Sequence, residues 1–329
     1  MKMSAEKAPL KSALYLLLCG ASFCLPWLLP AVRNHSSGAA VVAGLLFAVI
    51  WGNPFQRHTA RLTSPMLGAA IVLMGFGLNL RQVLQMGGQG LGYTFSGILL
   101  AFVVGLWVGR RLGLERDPCL LICSGTAICG GSAIAAVAPV LRARPHHVAI
   151  ATSVVFVLNA VALLIFPAIG HSLGFSQEQF GLWAAVAIHD TSSVVGASLQ
   201  YGDRALAVGT TVKLARALWI VPVALAVSLF SGQKDAGSGR AKISVPWFIP
   251  TFLIAAGLVA WFPALRPAGE KLAEASKYLM VMTLFVIGSN VSLDKLRETG
   301  IRPVVHGVVL WLFLLAVWLV AVHQNWVSV

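Results

Sequence analysis

The chain has 329 residues, 58% of them hydrophobic and only 11% charged, less than half the roughly one-quarter charge of a soluble domain. Its 24 Lys and Arg outnumber 11 Asp and Glu for a formal net charge of +13. The bases fall in short clusters between apolar stretches, which follows the positive-inside rule and excludes nucleic acid as the partner. No polar block is large enough to fold separately, so 1–329 reads as a single polytopic membrane domain, all-α and integral to the bilayer.

In chain order, the segments apolar enough to cross a bilayer are 12–32, 38–52, 65–80, 90–109, 118–140, 147–169, 180–200, 205–230, 245–263, 274–291 and 303–323, about 11 transmembrane segments in all. Each approaches the roughly 20 residues that a membrane helix needs. Lys2, Lys7 and Lys11 precede the run Ser12–Val32, which is long for a signal peptide and lacks a small-x-small cleavage site. Residues 1–34 are therefore read as an additional N-terminal helix that is retained. Ser231–Lys242 is a Gly/Ser linker.

Base placement sets the orientation. With the N-terminus cytoplasmic, Arg57, Arg61, Arg110, Arg111, Arg116, Lys234, Arg240, Lys242, Lys295, Arg297 and Arg302 fall inside, and the C-terminus is periplasmic. Arg266, Lys271 and Lys277 resist this scheme, as do Arg142, Arg144, His146 and His147. The last four move inside if 118–140 and 180–200 are re-entrant rather than spanning, and both alternatives stay open.

Two internal echoes suggest inverted-topology repeats over 35–170 and 178–325. Gly77-Leu78-Asn79-Leu80 is echoed by Gly288-Ser289-Asn290-Val291. Ala127-Ile128 followed by Ser132 is matched at identical spacing by Ala187-Ile188 followed by Ser192.

Three segments carry the chemistry. Ser124–Pro139 places Thr126, Cys129, Gly130, Gly131 and Ser132 inside an apolar span. Small residues permit close helix packing, but an adjacent Gly pair favours a broken helix whose freed N–H groups face a solute. In Ala184–Ser198, Asp190 is the one mid-span carboxylate of the 11, preceded by His189 and followed by Thr191 and Ser192. A charge at membrane depth costs at least a few kcal/mol, which marks these four as a proton- or ion-coupling group. Lys213 and Arg216 share one helix face. They are expected to neutralise Asp190 and leave one positive charge for an oxyanion.

Asn79 and Asn290 are candidate path-lining residues, Asn159 reads as helix glue, and His306 as interfacial. The cysteines Cys19, Cys24, Cys119, Cys123 and Cys129 read as small apolar packers. No cofactor, metal or catalytic residue is expected, and no Cys/His spacing suggests zinc.

GTAICGGSAIAA (Gly125–Ala136), AIHDTSSVVGA (Ala187–Ala197) and TTVKLARALWIVP (Thr210–Pro222), in this order, resemble the sulfate exporter family of bacterial inner-membrane proteins (YeiH-like). That family is similar to the cation/proton antiporter and bile-acid transporter superfamily. The resemblance covers nearly the whole chain. It implies five-helix inverted repeats with discontinuous crossing helices, the crossed pair being 118–140 and 274–291, both spanning, and an elevator-like or rocking motion.

The expected function is secondary transport, as an exporter, of a small anion such as sulfate, sulfite or a sulfonate, coupled to protons or another ion. Substrate contacts are assigned to Thr126, Cys129, Gly130, Gly131, Ser132, Lys213, Arg216 and Asn290, and coupling to His189, Asp190, Thr191 and Ser192. The expected partners are the anionic solute and the lipid bilayer, with a homodimer left open. An anion channel is the nearest alternative. An enzyme with Cys129 as nucleophile and His189 as base is the other, but it lacks a third orienting group.

Overall fold

The computed structural model describes residues 8–28, 36–230, 247–290 and 300–328. The linker Ser231–Lys242, with Lys234 and Arg240, and the cluster of Lys295 and Arg297 lie outside the described residues.

Every regular element among the described residues is helical. That is the expected outcome for apolar segments in lipid, where each backbone N–H and C=O must be satisfied within the segment. In chain order the helices are α1 (Ala8–Leu28), α2 (Ser36–Trp51), α3 (Gln56–Gly75), α4 (Leu80–Arg111), α5 (Arg116–Ala127), α6 (Gly131–Leu141) and α7 (Pro145–Ser172). There follow α8 (Gln177–Ala187), α9 (Thr191–Tyr201), α10 (Asp203–Ala217), α11 (Ile220–Phe230), α12 (Phe248–Trp261), α13 (Arg266–Ser289) and α14 (Ile301–His323). Among the described residues, five stretches are long and apolar enough to cross a membrane: Leu80–Arg111, Pro145–Ser172, Asp203–Leu229, Pro263–Ser289 and Ile301–His323.

The helices gather into two compact units that each draw on both halves of the chain. Unit 1 comprises Met1–Gln82, Val195–Gly202 and Trp247–Leu293. Within it α13 packs on α1, α2 and α3, and α12 packs on α3. Two glycines let α2 and α13 approach to backbone contact. A Cβ on Gly44 would strike the Phe285 carbonyl, and one on Gly288 would strike that of Val41. Beside this seam Tyr15 packs between Phe47 and Phe285, with ring centroids 5.4 and 5.3 Å away.

Unit 2 comprises Val83–Val194, Asp203–Pro246 and Asp294–Val329. Here α7 packs on α5 and α6, α10 on α8, and α14 on α5, α7 and α8. Gly181 brings α8 onto α10, because an added Cβ would lie 2.7 Å from the Ala205 carbonyl oxygen. A capping box starts α8: the Ser176 hydroxyl accepts the Gln179 N–H at 3.2 Å, and the Gln179 side chain accepts the Ser176 N–H at 2.9 Å.

Two expectations are corrected. Among the described residues, helix breaks fall within 118–140, 180–200 and 205–230, the last between α10 and α11, whereas 274–291 belongs to α13, which runs unbroken to Ser289. The tail of that segment has no Gly-Gly or buried charge to open its backbone. His306 is fully buried in α14 rather than interfacial, and its Nε2 donates to the Gly105 carbonyl at 2.8 Å.

Candidate functional site

The Gly pair and the echoed Ala-Ile dipeptides fall at two helix interruptions in unit 2. The first lies between α5 and α6. Ile128 leaves helical geometry with φ −124° and ψ −88°, and Gly130 takes φ 63°, a left-handed value that a side chain resists. The second lies between α8 and α9, where Ile188 turns extended with φ −87° and ψ 133°. α6 begins at Gly131 and α9 at Thr191, so Ser132 and Ser192 occupy the second residue of each. The breaks touch, since a Cβ on Gly130 would sit 3.3 Å from Asp190 Cβ.

Each break exposes a helix C-terminus whose last carbonyls have no intrahelical donor, and in a water-free interior these need partners. Lys213 and Arg216 of α10, 0% and 1% exposed, supply them. Lys213 Nζ donates to the carbonyls of Ile128 at 3.0 Å, Ile188 at 2.7 Å and Ala185 at 3.4 Å. Arg216 Nε and Nη2 donate to Ala127 O at 2.8 and 2.6 Å, and Nη2 to Thr126 O at 3.1 Å. Its Nη1 donates to Val186 O at 2.6 Å and Ala185 O at 3.2 Å. Two cations thus cap two helix C-termini, where the macrodipole favours positive charge.

The expected direct pairing with Asp190 is not made, although its charge still acts on Lys213. Among the described residues no carboxylate forms an ion pair with Lys213 or Arg216. Asp190 Oδ2 instead accepts the Ser192 N–H at 3.0 Å and the Ser192 hydroxyl, which caps the N-terminus of α9. The orphaned carbonyls claim the cations, and the orphaned N–H groups claim the carboxylate.

Asn159 of α7, helix glue by its sequence, has a specific task. Its Oδ1 accepts the backbone N–H of His189 at 3.0 Å and of Asp190 at 3.1 Å, which pins the second break open. The sequence signal was an amide in mid-span with no polar neighbour.

The N-terminus of α6 differs from that of α9. Gly130 offers no side-chain cap, Gly131 is half-buried and Ser132 is exposed. Cys129 and Thr126 are buried beside it, and the Thr126 hydroxyl has no hydrogen-bond partner among the described residues. The same holds for both ring nitrogens of His189 and for the hydroxyls of Thr210 and Thr211. Thr191 and Ser192 are buried at 7% and 6% exposure.

Asn290 lies in unit 1. Its Oδ1 accepts from Asn53 Nδ2 at 2.9 Å and Thr59 Oγ1 at 2.8 Å, and its Nδ2 donates to Thr63 at 3.2 Å. Both ends of the carboxamide are engaged by unit 1 itself. Asn79 is likewise committed, its Oδ1 accepting the Arg81 N–H at 2.9 Å where α4 begins.

The family described as Conserved hypothetical protein 698 matches residues 14–307. A UPF0324 membrane protein of Bdellovibrio bacteriovorus is 52% identical over 295 residues, covering 89% of this chain and 90% of its own. UPF0324 membrane proteins of Geobacter sulfurreducens and Shewanella oneidensis are 44% and 42% identical, over 87% and 90% of this chain and 91% and 90% of theirs. No solved structure matches the chain.

Proposed function

The chain belongs to this conserved family of multi-pass membrane proteins, and on that premise we propose that it is a secondary active transporter, an exporter, of a small anion such as sulfate, sulfite or a sulfonate. The solute binds at the N-terminus of α6 and is exchanged for protons or another ion. The carrying observation is the pair of fully buried cations, Lys213 and Arg216, held on carbonyls beside two interrupted helices with no direct ion pair to a carboxylate among the described residues. Two positive charges against the single nearby carboxylate of Asp190 leave a net positive field that an anion relieves, and the uncapped N–H groups of α6 are where an anion is best received.

Thr126, Cys129, Gly130, Gly131 and Ser132 line that end, while Lys213 and Arg216 supply field rather than direct contact, because their donors are already committed to carbonyls. His189, Asp190, Thr191 and Ser192 form the coupling group. Asp190 occupies at α9 the place that the solute takes at α6. About 11 segments in two inverted repeats, with the N-terminus cytoplasmic and the C-terminus periplasmic, complete the proposal. Two breaks at the same Ala-Ile-x-x-x-Ser spacing support an internal repeat. The enzyme alternative is disfavoured, because the His189 ring makes no hydrogen bond, to Cys129 or otherwise, among the described residues.

The test is uptake of labelled sulfate, sulfite and a small sulfonate into proteoliposomes, with and without a pH gradient. Saturable flux that follows the gradient and disappears in Gly131→Leu, with the protein still folded, is the expected result. Flux that neither saturates nor responds to the gradient makes the protein a channel and removes the coupling role of Asp190.

A further inference from the structure

A second polar cluster in unit 2 lies apart from the breaks. Cys119 and Cys123 stand one turn apart on α5, and α14 brings His306 against them. The three donor atoms all lie within 4.8 Å of one another, and Cys119 Sγ is 3.8 Å from His306 Nε2. Exposure is 4%, 0% and 0% respectively.

Helix α4 makes room for this group. A Cβ on Gly105 would strike Cys123 Sγ, and one on Gly109 would strike Cys119 Sγ. These two glycines, one turn apart, face the two sulfurs, also one turn apart, so α4 lacks side chains at just those places. His306 Nδ1 is buried with no partner among the described residues. A histidine used for packing alone carries a desolvation cost that an apolar residue avoids.

Two thiols and an imidazole are a soft donor set. Around a zinc ion, bonds of about 2.3 Å to sulfur and 2.0–2.1 Å to nitrogen place tetrahedral ligands roughly 3.5–3.8 Å apart, the separation already seen between Cys119 and His306. Charge also favours zinc: two thiolates, a neutral imidazole and a divalent ion sum to zero, the cheapest state to bury in an apolar interior. Three protein ligands leave one tetrahedral position, and Cys119 lines a cavity of about 870 Å³ with Arg110 and Trp219.

We propose that Cys119, Cys123 and His306 form a zinc site whose fourth position opens on this cavity. Loading releases two thiol protons. The imidazole gives up its Nε2–H bond to the Gly105 carbonyl to ligate through Nε2, and the ring proton moves to the unpartnered Nδ1.

The experiment uses the full chain in detergent, loaded with Zn(II) or Co(II), desalted and assayed for metal. About one ion per chain is expected, and the Co(II) form shows a thiolate-to-cobalt charge-transfer band. Cys123→Ser and His306→Gln, checked for monodispersity by size exclusion, should each weaken retention at least about tenfold, since loss of a supporting residue alone costs 10–100-fold. His147→Gln, which removes a histidine paired with Glu115 at 3.1 Å, should leave metal content unchanged. Absence of stoichiometric metal in the unmodified chain, or Co(II) bound without a thiolate band, overturns the proposal even if the variants do not fold. An unchanged band in the Cys119→Ser, Cys123→Ser double variant does so as well.

Discussion

The α5–α6 and α8–α9 interruptions in unit 2 begin with the same residues and end with opposite chemistry. Both α5 and α8 stop at Ala-Ile, and α6 and α9 both start three residues later. At α9 the intervening residues are His189 and Asp190. Asn159 holds the backbone open, and the Asp190 carboxylate caps the N-terminus. At α6 they are Cys129 and Gly130, and no side chain caps the N-terminus. One break is therefore internally satisfied as an anion site, and its counterpart has the same architecture without the anion. A helix N-terminus inside a membrane seeks negative charge, so the difference points to the solute's position.

Breaking what the two sites share gives the largest effect. Arg216 bridges both helix ends with donors to four carbonyls, those of Thr126, Ala127, Ala185 and Val186. Arg216→Met strands those acceptors, and each buried acceptor left without a donor costs about 1–3 kcal/mol. Thermal unfolding in detergent should show this loss, and Arg216→Lys should recover only part of it, because an ammonium lacks the fork that reaches both helices. A stability equal to the unmodified protein's in Arg216→Met means the carbonyls are satisfied by something else.

The next effect concerns one break alone. Asn159→Ala leaves the His189 and Asp190 N–H groups without their acceptor, at about 1–3 kcal/mol for a buried unsatisfied donor. Hydrogen exchange at those two amides should accelerate while amides in α5 and α6 are unaffected. Equal acceleration around Gly130 would mean that the breaks form one unit. Asp190→Asn comes third: Asn ranks with Asp as an N-cap, so the stability loss should stay below about 1 kcal/mol, and the change should show in the dependence of flux on the pH gradient.

Much of this arrangement was readable from residues, and the unreadable part has a physical cause. The break in 118–140 carries its own signal, because the positive φ of Gly130 is a backbone value that glycine adopts freely. Asp190 announced a site because a lone mid-span carboxylate is costly. The break at Ile188 carries no glycine and is held by Asn159, 30 residues away, so local pattern had nothing to detect. Lys213 and Arg216 were found, but their partners were misassigned to Asp190. Backbone carbonyls are acceptors at every position, and a helix end that needs a cation has no sequence signature. His306 was misplaced for a similar reason: Gly105 and Gly109, distant in sequence, open the space that buries it.

A modest change in stability should carry the largest change in function. Gly130→Asn introduces at α6 a side-chain oxygen of the kind Asp190 supplies at α9. At φ 63° and ψ −123° the backbone lies outside the left-handed helical well that Asn favours, so any side chain is strained there. Asn is neutral, so it adds no repulsion toward Asp190, whose Cβ lies 3.3 Å from the new Cβ. The gain of a cap is worth roughly 0.5–2 kcal/mol, and the positive-φ backbone costs about 1–3 kcal/mol. Unfolding temperature should therefore fall only modestly. Flux should nonetheless fall sharply, because the carboxamide oxygen competes with the solute for the first N–H groups of α6. Gly130→Ala separates the terms: it carries the backbone cost without a cap, so it should be less stable than Gly130→Asn yet retain more transport. If Gly130→Asn transports as well as the unmodified protein, the solute does not bind at α6, and the contrast between the two breaks is one of packing alone.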